Sequence, residues 1–203
     1  MMHEARRMTP GRLIYVMGPS GAGKNSVIAS ACDNSNKNKH LYFSPRYITR
    51  PTVVDADDDL TISAAAFAHY KRIGGFALDW EAHGFCYGVS TAIDTLLLAG
   101  KCVVVNGSRD YLATALRKYP DMTAVLITVA PEVARARLQA RGRESTEAIM
   151  ARVQRTPAIA IPPQQLHTID NSGPLEHATE ALLRVLLGDE TGAVLAGRGV
   201  STV

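Results

Sequence analysis

Cysteine is scarce and unpaired in this chain of 203 residues: Cys32, Cys86 and Cys102 lie far apart, and the six histidines are equally scattered. That spacing excludes a disulfide framework and a paired-ligand zinc site. No apolar run is long enough for a signal peptide or a membrane span, so a soluble protein in a reducing cytoplasm, without a membrane partner, is expected. Charge of one sign is also lacking, since 22 Lys and Arg against 19 Asp and Glu leave a net charge of only +3. The arginines gather in two stretches, Arg46 to Arg50 and Arg135 to Arg155, rather than in one polybasic run. A pocket for phosphates fits that distribution better than a nucleic-acid surface. Aromatic residues are few and not interleaved with basic ones, so Phe67, Tyr70, Phe76 and Trp80 are expected to build a small core rather than a stacking platform for bases. Internal repeats and low-complexity tracts are absent.

What is present suits one globular domain, with 46% hydrophobic residues and 20% charged. Leu13 to Met17, Lys101 to Asn106 and Ala124 to Val129 are apolar runs of strand length, continuous as parallel strands covered on both faces must be. Helical composition follows each of them, at Ser26 to Ala31, Tyr111 to Lys118 and Glu132 to Ala140. Strands alternating with helices predict a doubly wound α/β fold with the ligand at the carboxyl ends of the strands. Residues 51–93 break the rhythm and are expected to form an inserted acceptor-binding region. Pro157 and Pro162-Pro163 interrupt the helix after the polar stretch Gly142 to Glu147, and residues 188–203 read as a loose tail.

Gly18-Pro19-Ser20-Gly21-Ala22-Gly23-Lys24 has the spacing G-x-x-x-x-G-K between a strand and a helix. Successive backbone N–H groups of such a loop curl around the β-phosphate of a nucleotide, and the lysine reaches the β/γ oxygens. The helix beginning near Asn25 adds its positive dipole end. The predicted nucleotide site therefore comprises Gly18, Pro19, Ser20, Gly21, Ala22, Gly23, Lys24, Asn25 and Ser26, with Lys24 neutralising charge on the transferring phosphoryl group. One position departs from the pattern. Asn25 stands where Ser or Thr ligates Mg²⁺; its carbonyl oxygen is a neutral substitute, and Ser26 is one residue out of register. A GTPase switch is disfavoured, because Asn36-Lys37-Asn38-Lys39 lacks the aspartate that reads guanine and Asp170-Asn171-Ser172-Gly173 lies too near the C-terminus.

The phosphate loop, Tyr47-Ile48-Thr49-Arg50-Pro51, Tyr87-Gly88 and the helix Arg137-Leu138-Gln139-Ala140-Arg141-Gly142-Arg143-Glu144 together resemble the guanylate kinase superfamily over residues 12–187. Arg46 to Arg50, Ala77 to Gly84 with Tyr87-Gly88-Val89, and Val105-Asn106-Gly107-Ser108-Arg109 resemble more closely the ribose 1,5-bisphosphate phosphokinases of phosphonate degradation. That resemblance implies an α/β P-loop NTPase fold of guanylate kinase type, with a lid at about residues 137–150. It implies an ATP- and Mg²⁺-dependent kinase that converts ribose 1,5-bisphosphate to 5-phospho-α-D-ribose 1-diphosphate. It further implies acceptor-phosphate ligands at Arg50 and Tyr87, candidates for a second phosphate at Arg46 and Arg109, catalytic arginines at Arg137 and Arg141 with Arg143 beside them, a ribose contact at Asp79 and an adenine contact at Asn171.

Three departures separate the chain from guanylate kinases: Thr52-Val53-Val54 in place of a second arginine, Asp79 in place of a base-reading glutamate, and Asn106 to Arg109 in place of an acidic strand end. The extra arginine suits an acceptor with two phosphates, because Arg binds phosphate oxygens bidentately. Asn25 also fits this family, which tolerates a non-hydroxyl residue there. The acceptor phosphate is ionised at neutral pH, so no general base is expected. The rival readings are a guanylate kinase or another small-metabolite kinase of the same fold, and a non-catalytic interaction module. The intact phosphate loop argues against the module. A small phosphorylated molecule is the expected partner, with no nucleic acid, and a homodimer is left open.

Overall fold

The computed structural model describes residues 11–35, 38–50, 59–140 and 161–188. Arg12–Met17 (β1) is the central strand of a five-stranded parallel sheet, with four consecutive residues, Ile14 to Met17, wholly buried. Cys102–Asn106 (β7) and Thr123–Thr128 (β8) flank it, and Leu41–Phe43 (β2) and Leu166–Asp170 (β9) form the edges, giving the order β2-β7-β1-β8-β9. Alternation along β1 splits the core between the two faces. Leu13, Tyr15 and Met17 pack with Val103, Val105 and Ala124 on one side, towards Ala92–Leu98 (α3) and Leu112–Lys118 (α4). Ile14 and Val16 pack with Val104, Val125 and Ile127 on the other, against Lys24–Asn34 (α1) and the last helix, Leu175–Leu187 (α6). Each buried Val, Leu, Ile or Met among these side chains contributes about 1.5–3 kcal/mol by leaving water, which makes β1 the fixed base of everything that follows it in sequence.

The chain between β2 and α3 builds a second, four-stranded sheet in the order β4-β3-β6-β5, from Tyr47–Ile48 (β3), Leu60–Thr61 (β4), Phe76–Ala82 (β5) and Phe85–Ser90 (β6). Ala64–Arg72 (α2) covers one face, its first turn capped by the Ser63 side chain accepting from Ala66 N–H. Phe67, Tyr70, Phe76 and Tyr47 close that face as an aromatic cluster, with ring centroids 4.6–5.7 Å apart. Phe67, Tyr70 and Phe76 form this small core as expected, whereas Trp80, expected with them, packs with Tyr87 and Tyr111 instead. Pro131–Ala140 (α5), started by a proline at its first position, leads away from β8. Among the described residues no helix is long and apolar enough to cross a membrane.

The predicted strands and helices within the described residues appear, with ends moved by one to three residues, while the helix expected around Pro157 lies outside the described residues. The edge strands β2 and β9 went unpredicted, as did the 3₁₀ turn Pro163–Gln165 that follows Pro162. Of the expected lid only residues up to 140 are described, and the tail from 189 lies outside the described residues.

Candidate active site

The phosphate loop leaves β1 at the carboxyl edge of the sheet and enters α1 through Gly23, whose φ of +78° is left-handed. A side chain there is barred twice, since a Cβ on Gly23 would lie 2.5 Å from the Asn171 amide nitrogen. Asn171, just after β9, is 2% exposed and donates through Nδ2 to Ala22 O at 2.8 Å. Lys24 folds back on its own loop, donating to Gly18 O at 2.9 Å and Pro19 O at 3.3 Å.

A cleft of about 450 Å³ separates this loop from the small sheet. Gly18 to Gly21, Gly23, Lys24 and Asn25 line it from the loop, Arg46, Arg50 and Tyr87 from the small sheet, and Arg109 from the segment after β7. Cross-strand pairing explains the small-sheet side. Trp80 faces Tyr87 in the β5–β6 register, so both project from the same face of the sheet into the cleft and stack 5.5 Å apart at 4°. Arg46 lies over the other residue of that column, its guanidinium carbon 5.6 Å from the Tyr87 centroid, and Asp59 holds it by two hydrogen bonds. Arg109 is held from below. Tyr15 Oη donates to Ser108 O and accepts from Ser108 N–H, both at 2.9 Å, and the Tyr15 ring lies where a Cβ on Gly107 would be, 2.0 Å away. Burial lowers the pKa of Arg109, partly opposed by Asp110; the group stays charged and poorly solvated, a state that an anion relieves.

Several expected ligands are placed elsewhere. Asp79 points to the face opposite Trp80, where Lys71 Nζ meets it at 2.6 Å, so it does not line the cleft. Asn171 braces the loop from beneath instead of facing the cleft, and Ser26 is exposed outside it. Ala22 is fully buried, and the loop contributes its backbone there. Arg137 is on α5 against the loop, its Nη1 buried without a hydrogen-bond partner and 3.5 Å from a Cβ built on Gly23. Arg141 and Arg143 lie outside the described residues. For Mg²⁺, Asn25 Oδ1 accepts from Asn106 Nδ2 at 2.7 Å, while Asn106 Oδ1 is buried without a partner. Two amide oxygens of neutral charge suit a hard cation, and among the described residues no group of three His, Cys, Asp or Glu competes as a metal cage. Sequence reasoning missed Tyr15 and His83. His83 lines the cleft at a positive φ of 54°, followed by Gly84 at 76°, a tight hairpin turn for which His-Gly between two strands was the available signal.

No family model matches the chain. Curated relatives do, each described as a ribose 1,5-bisphosphate phosphokinase: one from Pseudomonas paraeruginosa is 45% identical over 184 residues, 90% of this chain and 99% of that protein. The relative from Burkholderia pseudomallei is 44% identical, covering 89% of this chain and 98% of its own. The chain belongs to the ribose 1,5-bisphosphate phosphokinase family. A further member, from Desulfomicrobium baculatum, is 43% identical over 87% of this chain and 94% of its own. Among solved structures, guanylate kinase from Anaplasma phagocytophilum aligns with a TM-score of 0.66 over 91% of this chain and 88% of that one, at 14% identity. The phosphokinase family member thus has the guanylate kinase fold, an α/β P-loop architecture.

Proposed function

We propose that this chain transfers the γ-phosphoryl group of ATP to the 1-phosphate of ribose 1,5-bisphosphate, yielding 5-phospho-α-D-ribose 1-diphosphate and ADP in the cytoplasm. The observation that carries the proposal is the cleft itself, which Arg46, Arg50, Arg109 and Tyr87 line together with an intact phosphate loop, in a chain 45% identical to a phosphokinase of that name. In the transfer, an acceptor phosphate oxygen forms a bond to the γ-phosphorus as the bond from that phosphorus to the β–γ bridging oxygen breaks, and ADP leaves with the electron pair. The nucleophile is already ionised, so the protein's work is alignment and charge compensation.

The loop N–H groups from Ser20 to Lys24 cradle the nucleotide phosphates, and Lys24 releases Gly18 O and Pro19 O to reach the β/γ oxygens. Arg50 and Tyr87 hold the reacting acceptor phosphate, and Arg46 and Arg109 take its second phosphate. Arg137, unpaired at Nη1 and next to Gly23, compensates charge at the nucleotide, with Arg141 assigned the same task. Asn25 and Asn106 would hold Mg²⁺, which neutralises charge on the β- and γ-phosphates when it arrives with the nucleotide. GMP is the weaker acceptor, because the carboxylate at the base-reading position, Asp79, is turned away to Lys71. Release of ADP, followed with ribose 1,5-bisphosphate or GMP as sole acceptor, tests the assignment. Faster release with the sugar supports it, and faster release with GMP reverses it.

A further inference from the structure

The cleft for two phosphorylated molecules contains a buried carboxylate. Asp59 Oδ1 and Oδ2 accept from Arg46 Nε and Nη2 at 2.9 and 2.7 Å, with side chains only 6% and 11% exposed. Desolvation cancels much of the attraction in such a pair, so stability alone is a poor reason for it. A negative charge also weakens any anion site around it.

The donor and acceptor inventory gives a better reason. Arg46 offers Asp59 the edge made by Nε and Nη2, which leaves the two N–H groups of Nη1 and the second N–H of Nη2 for a phosphate. Asp59 spends two of roughly four lone-pair sites on Arg46 and keeps the others for O–H donors. The guanidinium is fixed in orientation by Asp59 on one edge and by the Tyr87 ring, itself stacked on Trp80, across its path. Nη1 donors and a carboxylate acceptor therefore stand together in the cleft, matching a sugar phosphate with a ring hydroxyl close to the ester. Among the described residues the other carboxylate lining the cleft, Asp110, is exposed and follows Arg109.

We infer that the Arg46–Asp59 pair is the sugar-specificity element: Arg46 binds an acceptor phosphate and Asp59 accepts a hydrogen bond from the ribose hydroxyl beside it. This rests on the acceptor reading proposed above. An acceptor without that hydroxyl leaves the buried carboxylate short of a partner, and sites built to bond a hydroxyl reject analogues that lack it.

The test compares kcat/KM for ribose 1,5-bisphosphate and its 3-deoxy analogue, which lacks the hydroxyl nearest the 5-phosphate, in the wild type and in Asp59→Asn. Acceptor binding without ATP is read from the fluorescence of Trp80, the chain's single tryptophan. The wild type is expected to prefer the ribose form by about 10- to 100-fold, mostly through KM, and Asp59→Asn to bring the ratio close to one with the KM for ATP unchanged. Equal use of both sugars by the wild type overturns the inference without recourse to any variant, as does a preference that Asp59→Asn retains. If ATP binds and neither sugar reacts, the acceptor reading has failed and the inference falls with it.

Discussion

Tyr15→Phe removes one oxygen atom from the middle of the fold, and the structure says where the cost is felt. The ring stays, filling the space beneath Gly107, while the N–H and C=O of Ser108 both lose their partner. Two hydrogen bonds at about 1 kcal/mol each give a loss of about 2 kcal/mol, more if the buried backbone groups find no water. For a domain of this size that lowers Tm by about 4–8 °C. Because the freed segment carries Arg109, the KM for the sugar bisphosphate should rise about tenfold, whereas the KM for ATP, held by the phosphate loop itself, should hold. Thermal unfolding and steady-state kinetics with each substrate varied in turn measure both. An unchanged Tm, or equal rises in the two KM values, refutes the claim that Tyr15 positions the segment carrying Arg109.

Burial raises the pKa of Tyr15 above the ordinary value near 10, although its bond with Ser108 acts the other way. The folded chain keeps that proton while the unfolded chain releases it, so above about pH 10 stability should fall by about 1.4 kcal/mol per pH unit from this group, and Tyr15→Phe should remove that part of the slope in denaturant titrations. Arg109→Lys keeps the charge but loses the two-pronged donor, and the KM for the acceptor should rise about tenfold with Tm within a degree or two. Asn171→Ala breaks the bond to Ala22 O; about 1–3 kcal/mol of stability should be lost, and calorimetry should show ATP binding weakened while acceptor binding to the apo protein persists.

The parts legible in the sequence were those fixed by local rules. β1, β7 and β8 are buried on both faces and therefore continuous in apolar residues, and the phosphate loop is a string of backbone requirements written in glycines. β2 and β9 lie at the edges, so three residues suffice for one, and His167, Thr168 and Asp170 break up the apolar signal of the other. Asp79 and Trp80 are neighbours in sequence yet face opposite ways, and only the register with Tyr87 and Gly88 decides which one sees the cleft. Asn171 reaches Ala22 from 149 positions away, through the pairing of β9 with β8 and of β8 with β1. The Arg46–Asp59 pair follows from β3 lying parallel to β4, a pairing that brings together residues 13 positions apart and that composition does not carry.

The central claim is that this cleft joins a nucleotide to a sugar bisphosphate, and phosphorus NMR of one incubation tests it most directly. Purified protein is mixed with ATP, Mg²⁺ and ribose 1,5-bisphosphate, beside a sample with GMP in its place and a Lys24→Ala control. A new sugar diphosphate signal that grows with ADP, outpaces any GDP and vanishes in the control is the expected result. GDP forming while the sugar bisphosphate stays intact would contradict the account.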